Sequence, residues 1–452
     1  MKRLSGRRIA FYTLGCKVNI YETELMEQAV VSEGAVLVPF SSPADFYIVN
    51  TCSVTNIADQ KSRKMLHRAK KLNPEAKVIA TGCYSELHLT EDAGMLGADL
   101  LMPNADKTRV TEVLAGLLTG EECTVPSGEM KEEAPEEDPS AMLRKLTAHT
   151  RADIKVEDGC DSFCTYCIIP YARGRVRSRA LPEILEEVTQ LEGAGVREFV
   201  LAGIHVSSYG KDLSSGETLP DLIEQVHAVL HESRLRLSSL EPRIVTEDFA
   251  KRTAALPKLC PHFHLSLQSG SARTLKRMNR HYTPEEYASS AALLRRYFDD
   301  PALTTDVIAG FPGETEEDFE ESLAFIRRIG FYELHVFPYS RRQGTPAAKM
   351  EDQVPDAVKK ERAARLIALS EELKEAYIAR QIGKQVEILT ETCEEIGGTR
   401  YAVGYTREYV RAALPEHCGL NRIIRAEAVG VLPGGILELK APESIEVTRE
   451  KE

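Results

Sequence analysis

The stretch Cys160-Asp-Ser-Phe-Cys164-Thr-Tyr-Cys167 constrains this chain more than any other. Its C-x-x-x-C-x-x-C spacing puts three thiols on one short loop, so the surrounding fold must present a tight, partly open turn. Thiolates are the ligands of iron–sulfur clusters, and a short loop can reach three corners of a cubane. No fourth cysteine lies nearby, which leaves one iron open to a small molecule. The competing reading is a zinc knuckle or three incidental thiols. Zinc, however, usually draws four ligands from paired C-x-x-C units, which this loop is not.

At 452 residues the chain is long enough for about three domains, taking about 150 residues per domain. Ten cysteines in a secreted protein would suggest disulfides. Here the basic start at residues 1–8 runs into strand-like Ile9-Ala-Phe-Tyr-Thr13 and not into a signal-peptide core. No apolar run approaches the length of a membrane span. The expectation is a cytoplasmic protein with no membrane partner, whose cysteines bind metal or do chemistry. The net charge of −12 argues against indiscriminate nucleic-acid binding but leaves room for local basic patches.

Three segments over residues 6–120 share one design. Arg8-Ile-Ala-Phe-Tyr-Thr-Leu-Gly-Cys16, Asp45-Phe-Tyr-Ile-Val-Asn-Thr-Cys52 and Lys77-Val-Ile-Ala-Thr-Gly-Cys83 are strand-like runs that each end in a cysteine. Helical patterns follow at 21–32, 57–72 and, more weakly, from Ser85. This alternation predicts an α/β, doubly wound parallel sheet. Ligands of such sheets gather at strand carboxyl ends, where Cys16, Cys52 and Cys83 all fall. They read as a second three-cysteine cluster site, with inert buried cysteines or a three-cysteine zinc site as alternatives. Lys61, Arg63, Lys64, Arg68, Lys70 and Lys71 load the second helix with positive charge, which favours RNA. Residues 121–145, rich in Glu, Pro and Gly, read as an acidic linker, with Cys123 incidental.

Over residues 146–380 six strand candidates (152–156, 198–202, 235–239, 263–267, 303–308 and 333–337) alternate with helices. They predict an open (β/α)6 barrel with the Cys160 loop on its carboxyl face, where barrel active sites lie. Strand-end loops bring Gly203, Glu241, Gln268 and Gly310 toward the same mouth, and Tyr166 sits inside the cysteine loop. The glycines allow close ligand approach. Glu241 and Gln268 offer hydrogen bonds, with turn capping as their alternative role. His205, His262 and His264 read as structural. Arg173, Arg175, Arg177 and Arg179 alternate along one expected extended face that suits phosphate, or else pair with the abundant acids. A long helix over 355–380 precedes residues 381–449, whose five short strands predict a small β-barrel. There Tyr401, Tyr405 and Tyr409 interleave with Arg400, Arg407 and Arg411, a mixture that suits RNA as well as ordinary strand packing.

Together these parts resemble the methylthiotransferases of the radical S-adenosylmethionine (SAM) superfamily. Thr13-Leu-Gly-Cys16-Lys-Val-Asn19-Ile-Tyr-Glu22-Thr resembles the signature of the group acting on threonylcarbamoyladenosine in tRNA. So do Cys160 to Cys167, Tyr171-Ala-Arg-Gly-Arg-Val-Arg-Ser-Arg179 and Phe337-Pro-Tyr-Ser-Arg-Arg-Gln-Gly-Thr345. The tail is similar to the RNA-binding TRAM module. The resemblance implies an enzyme with two 4Fe–4S clusters. Cys160, Cys164 and Cys167 would hold the one that reduces SAM. Cys16, Cys52 and Cys83 would hold an auxiliary one that handles sulfur. It further implies that SAM serves as methyl donor and as source of a radical that removes hydrogen from carbon 2 of adenine. An electron donor, a sulfur source and the anticodon loop of tRNA would be the partners. With SAM on that loop, the position of Tyr166 inside it would let the ring pack on the adenine. Isopentenyladenosine in tRNA, an aspartate of a ribosomal protein, and a non-catalytic iron–sulfur RNA-binding role are the alternatives. A radical SAM enzyme with zinc at its N-terminal site is another.

Overall fold

The computed structural model describes residues 2–119 and 150–442. The expected acidic linker, Cys123 and the last residues of the expected tail domain lie outside the described residues.

Strands β1 (Arg8–Thr13), β2 (Val36–Leu37), β3 (Phe46–Thr51), β4 (Lys77–Gly82) and β5 (Leu100–Leu101) form a parallel sheet ordered β2-β1-β3-β4-β5. β3 is buried along its whole length, as a central strand covered on both faces should be. The sheet's helices are α1 (Lys17–Ser32), α2 (Asn56–Leu72), α3 (Cys83–Glu86) and α4 (Val110–Thr119). Met26 and Val30 of α1 pack with Val113 and Leu114 of α4 in one core. Met65, Leu66 and Ala69 of α2 belong to a separate core. The helix expected from Ser85 is reduced to the single turn α3, followed by a 3-10 turn that ends at left-handed Gly97. This strand order reverses between β1 and β3, the point where open sheets hold ligands. Cys16 follows β1 and Cys52 follows β3.

The central strands are β6 (Arg151–Asp158), the short antiparallel edge β7 (Arg177–Ser178), β8 (Glu198–Gly203), β9 (Arg234–Leu237), β10 (His262–His264), β11 (Ala302–Ala309) and β12 (Glu333–Pro338). Parallel bridges Leu235–Leu259 and Leu240–Leu265 join the two hydrogen-bonded sheets into one arc. Among the described residues no pairing joins β12 to β6, so the arc is open. β10 stops earlier than expected because Gln268 turns to φ +67° before bridging Val307. The arc's helices are α5 (Ile169–Arg173), α6 (Leu181–Gly193), α7 (Leu219–Val229), α8 (Glu247–Ala254), α9 (Ala272–Arg277), α10 (Pro284–Tyr297), α11 (Glu316–Ile329) and α12 (Asp356–Ala379). Capping boxes at Thr218, Thr283 and Thr315 fix where α7, α10 and α11 begin.

β13 (Gln385–Ile396), β14 (Thr399–Thr406), β15 (Arg411–Pro415), β16 (Ile423–Leu432) and β17 (Ile436–Lys440) close into a barrel. The strand expected over 408–412 begins only at Arg411, because Tyr409 adopts φ +66° in a tight turn. This barrel docks against the amino ends of β6, β8 and β9. Burial opposes charge on Glu198, yet Arg236, Arg234 and Arg151 hold its carboxyl well below the usual range. Arg234 and Arg236 then donate to the carbonyls of Tyr405, Thr406 and Arg407. Tyr405 and Tyr409 stack at 4.6 Å beneath Arg151, and Arg407 donates to Pro257 and Leu259. The reading of Tyr405, Arg407 and Tyr409 as an RNA face is therefore corrected: they form the joint between domains. Arg400 and Arg411 pair with Glu416 and Glu394.

Candidate active site

The Cys160–Cys167 loop leaves β6 through Gly159, whose φ of +82° suits glycine. A Cβ there would lie 1.9 Å from the Arg175 carbonyl oxygen, so only glycine fits. The Cys160 amide donates to Gly174, and Thr165 is tied to Met278, Arg277 and Ala347. The loop is thus pinned by segments far along the chain. Cys160 Sγ accepts from the Ser162 amide at 3.5 Å and Cys164 Sγ from the Arg280 guanidinium at 3.3 Å. Burial pushes the Cys167 thiol up to about 12, and the neighbouring Cys164 and Cys160 sulfurs add to the push.

Around the mouth, Gly203 leaves room for the Glu157 carboxylate, whose oxygen would lie 2.7 Å from an added Cβ. Burial raises Glu157 to about 8; one of its oxygens accepts from the His205 amide and the other has no hydrogen-bond partner. Glu241 ion-pairs with Arg243 at 2.7 Å and stays half-buried. Gln268 is buried at its positive φ. Gly310 fits beneath Lys359 of α12, whose Cγ would stand 2.5 Å from an added Cβ. Tyr166 packs edge-on to Phe311, with 6.5 Å between ring centres, in a cluster with Met278 and Tyr339. His262 and His264 both hydrogen-bond Thr304, in keeping with structural roles.

The second set forms at the ends of β1, β3 and β4. A Cβ on Gly15 would come within 2.9 Å of Cys52 Sγ. Burial pushes the Cys52 thiol up to about 11, and Cys83 and Cys16 are near enough to push it further. Gly82, at φ +90°, carries no Cβ because one would stand 2.3 Å from the Thr51 carbonyl oxygen. Asn19 of α1 donates to Leu14 and Thr51, binding the two strand ends together.

Arg173 reaches the second set from the short helix that follows the first. Placed by α5 just after Cys167, it donates to Cys83 Sγ at 3.4 Å, to Glu22 at 2.6 Å, to Asp158 at 3.2 Å and to Asn19 at 2.5 Å. Lys107 and Lys155 complete this buried network. Burial opposes charge on Glu22, but Lys107, Lys155 and Arg173 together hold its carboxyl well below the usual range. The reading of the four alternate arginines as one phosphate-facing strip is corrected accordingly. Arg173 sits buried on a helix and Arg179 pairs with Glu187; Arg175 is exposed and Arg177 half-exposed. On the other side of the N-terminal sheet, Arg342 bonds Ser53 Oγ at 2.6 Å and Asp59 at 2.5 Å, next to Cys52.

Both sets fit iron–sulfur ligation. Cys52, Cys83 and Cys164 are buried, Cys160 and Cys167 are half-buried and Cys16 is exposed, and each set carries an amide or guanidinium donor that anionic sulfur accepts. Among the described residues no three His, Cys, Asp or Glu side chains converge as a single metal ion requires. A cubane makes a different demand, each thiolate binding its own iron at a separate corner.

A family model described as the radical SAM superfamily matches residues 154–326, and one described as uncharacterized protein family UPF0004 matches residues 8–99. The chain is 41% identical over 408 residues, 89% of each chain, to "Threonylcarbamoyladenosine tRNA methylthiotransferase MtaB" of Bacillus subtilis. To the Aquifex aeolicus protein of the same name it is 37% identical over 84% of this chain and 92% of the relative. The chain belongs to the radical SAM methylthiotransferase family. A "tRNA-2-methylthio-N(6)-dimethylallyladenosine synthase" of Caldicellulosiruptor saccharolyticus is 36% identical over 83% of this chain and 80% of the relative. Among solved structures, the radical SAM methyltransferase TsrM of Kitasatospora setae superposes with a TM-score of 0.54 at 15% identity, over 76% of this chain and 75% of that one. This second likeness speaks to fold alone.

Sequence reasoning missed Arg280, Arg342 and Glu157 as parts of the site. Arg280 meets its cysteine across 116 residues and Arg342 meets Ser53 across 289, separations that carry no local signal.

Proposed function

We propose that this chain methylthiolates carbon 2 of N6-threonylcarbamoyladenosine beside the anticodon of tRNA, using SAM and two 4Fe–4S clusters. The observation that carries the reading is its 41% identity, over 89% of both chains, to an enzyme named for that reaction. The two three-cysteine sets, one of them contacted by Arg173 at Cys83, support it. The dimethylallyl-named relative described above is less similar to this chain than the Bacillus subtilis protein, at 36% against 41%.

Carbon 2 of adenine bears a C–H bond that no side chain deprotonates near neutral pH, so the bound cofactors supply the electron, the radical and the methyl group. The chain's own residues do the rest. Cys160, Cys164 and Cys167 are assigned the SAM-side ligation, and Cys16, Cys52 and Cys83 the auxiliary ligation. Gly203, Glu241, Gln268, Gly310 and Tyr166 are assigned to the SAM pocket, a role supported by their shared position at the strand carboxyl ends. Arg173 and Arg342 tie the central domain to the end of the N-terminal sheet that carries Cys83 and Cys52. Lys61, Arg63, Lys64, Arg68 and Lys71 are exposed on α2 and suit tRNA phosphates. The boundaries 6–120, 146–380 and 381–449 are assigned to auxiliary-site, radical SAM and TRAM-like RNA-binding functions. An external reductant and sulfur source complete the reaction. Among the described residues no helix is long and apolar enough to cross a membrane, in keeping with a cytoplasmic site of action.

Mass spectrometry of tRNA nucleosides from cells with and without the gene tests the reading. Loss of the 2-methylthio nucleoside with accumulation of its parent is expected; an unchanged nucleoside overturns the assignment.

A further inference from the structure

Phe163 and Tyr171 break the usual rule for large aromatics. Phe163, in the cysteine loop beside buried Cys164, keeps 36% of its surface exposed, and Tyr171, on α5 between buried Pro170 and Ala172, keeps 52%. Phe163 also adopts φ +44°, a conformation that a bulky side chain takes only when its surroundings impose it. Asn279 imposes it by gripping the carbonyls of Phe163 at 3.1 Å and Ser162 at 3.4 Å. The two rings meet edge to face at 5.9 Å, and the Arg175 guanidinium lies 5.1 Å from the Phe163 ring centre. Arg175 is 75% exposed and holds Asp161 at 3.1 Å.

Their place in the site gives these features meaning. Phe163 lies between Cys160 and Cys164, whereas Tyr171 lies two residues before the arginine that donates to Cys83. The aromatic pair therefore spans the cysteine loop and the helix that carries Arg173 to Cys83. Exposed aromatic rings with a stacked cation are what an unpaired nucleobase binds, because every base offers a π-face.

We propose that Phe163, Tyr171 and Arg175 form a stacking seat for the unpaired base that flanks the target adenosine in a single-stranded RNA loop. The proposal rests on the tRNA reading above. The backbone strain at Phe163 serves to aim its ring outward, and Arg175 adds both stacking area and attraction for the adjoining phosphate.

The test uses the full-length, cluster-reconstituted protein and a synthetic anticodon stem-loop RNA, beside the same RNA made abasic at the flanking position. Binding is read by fluorescence anisotropy and cluster content by iron analysis. Phe163→Leu and Tyr171→Leu are expected to weaken binding of the intact RNA about tenfold. Both should retain wild-type iron and distinguish intact from abasic RNA less than wild type does. Phe163→Trp should restore the discrimination. Phe163→Gly, which suits the positive φ, keeps the loop and removes the ring, so it should behave as Phe163→Leu even if leucine misfolds. Wild-type affinity in the Phe163 variants overturns the seat alone. So does a loss of iron without loss of discrimination, which would make the ring a cover for the cluster loop. So does weakened SAM binding with RNA binding intact, which would give the seat to the adenine of SAM. Wild-type protein that neither binds nor modifies the RNA overturns the tRNA reading and the seat with it.

Discussion

Cys160, Cys164 and Cys167 occupy one loop of consecutive residues, whereas Cys16, Cys52 and Cys83 come from the ends of three strands. The first set carries its spacing with it wherever the loop goes. The second exists only when β1, β3 and β4 lie side by side. The ligation proposed for both sets would thus be reached by a local and a non-local route. Both share two devices: a positive-φ glycine just before a cysteine, as at Gly159 and Gly82, and a guanidinium on one sulfur. They differ in how that guanidinium is held. Arg173 faces the carboxylates of Glu22 and Asp158, whereas Arg280 leans on the Tyr282 ring and the Ser266 carbonyl.

The largest effects should separate the two sets by what each does. Cys164→Ala is expected to abolish SAM cleavage. Cys52→Ala is expected to leave SAM cleavage but yield no methylthio product. Each should lower iron to about half, the content of one cluster. Measuring iron, 5′-deoxyadenosine and modified nucleoside together checks this; equal loss of SAM cleavage in both variants would break the comparison.

Next come the two arginines. Arg173→Met removes one of the cations paired with two buried carboxylates, Glu22 and Asp158, and is expected to cost about 3–5 kcal/mol in unfolding experiments. Arg280→Met leaves only neutral acceptors and a sulfur, so about 1–3 kcal/mol is expected. Denaturant titration of both variants decides whether the N-terminal site depends more on charge.

The sites should also respond oppositely to pH. Burial lifts Glu157 to about 8, so the folded state keeps a proton that the unfolded chain releases. Stability from this group is present below its ordinary carboxylate range and declines as pH rises toward 8. Glu22 is held low by its cations despite burial, so its contribution is present above the ordinary range and is lost as pH falls. Thermal unfolding from pH 4 to 8 is expected to show a flatter neutral-side slope in Glu157→Gln, with the acid side unchanged.

The smallest effect concerns neither sulfur set. Lys64→Gln on α2 should weaken tRNA binding a few-fold and reduce the salt slope by about 1. An unchanged slope would place the phosphates elsewhere.

The two sites were legible in the sequence to different degrees, for the reason that separates them. The C-x-x-x-C-x-x-C loop announces its chemistry in eight letters. The dispersed set was readable only because each cysteine follows a strand-like run, so that a parallel sheet must gather them. The arginines misled. Alternation at 173, 175, 177 and 179 suggested an extended positive strip, but α5 and the turn at Gly174 send Arg173 inward and Arg175 outward. The tail misled in the same way, since Tyr405, Arg407 and Tyr409 look like an RNA face until the buried Glu198 cluster is seen behind them.

The sequence by itself determined the three-part α/β and β-barrel architecture, with the loop of three cysteines after β6 and the other three at the ends of β1, β3 and β4. These follow from period, spacing and glycine placement, all local properties. Only the tertiary structure decided which charges face inward, that Arg173 reaches Cys83, that Arg342 clamps the N-terminal sheet, and that Phe163 is held strained and exposed. Each of those depends on partners dozens to hundreds of residues away, brought near by the packing of the N-terminal sheet against the barrel and by the folding of the barrel on itself.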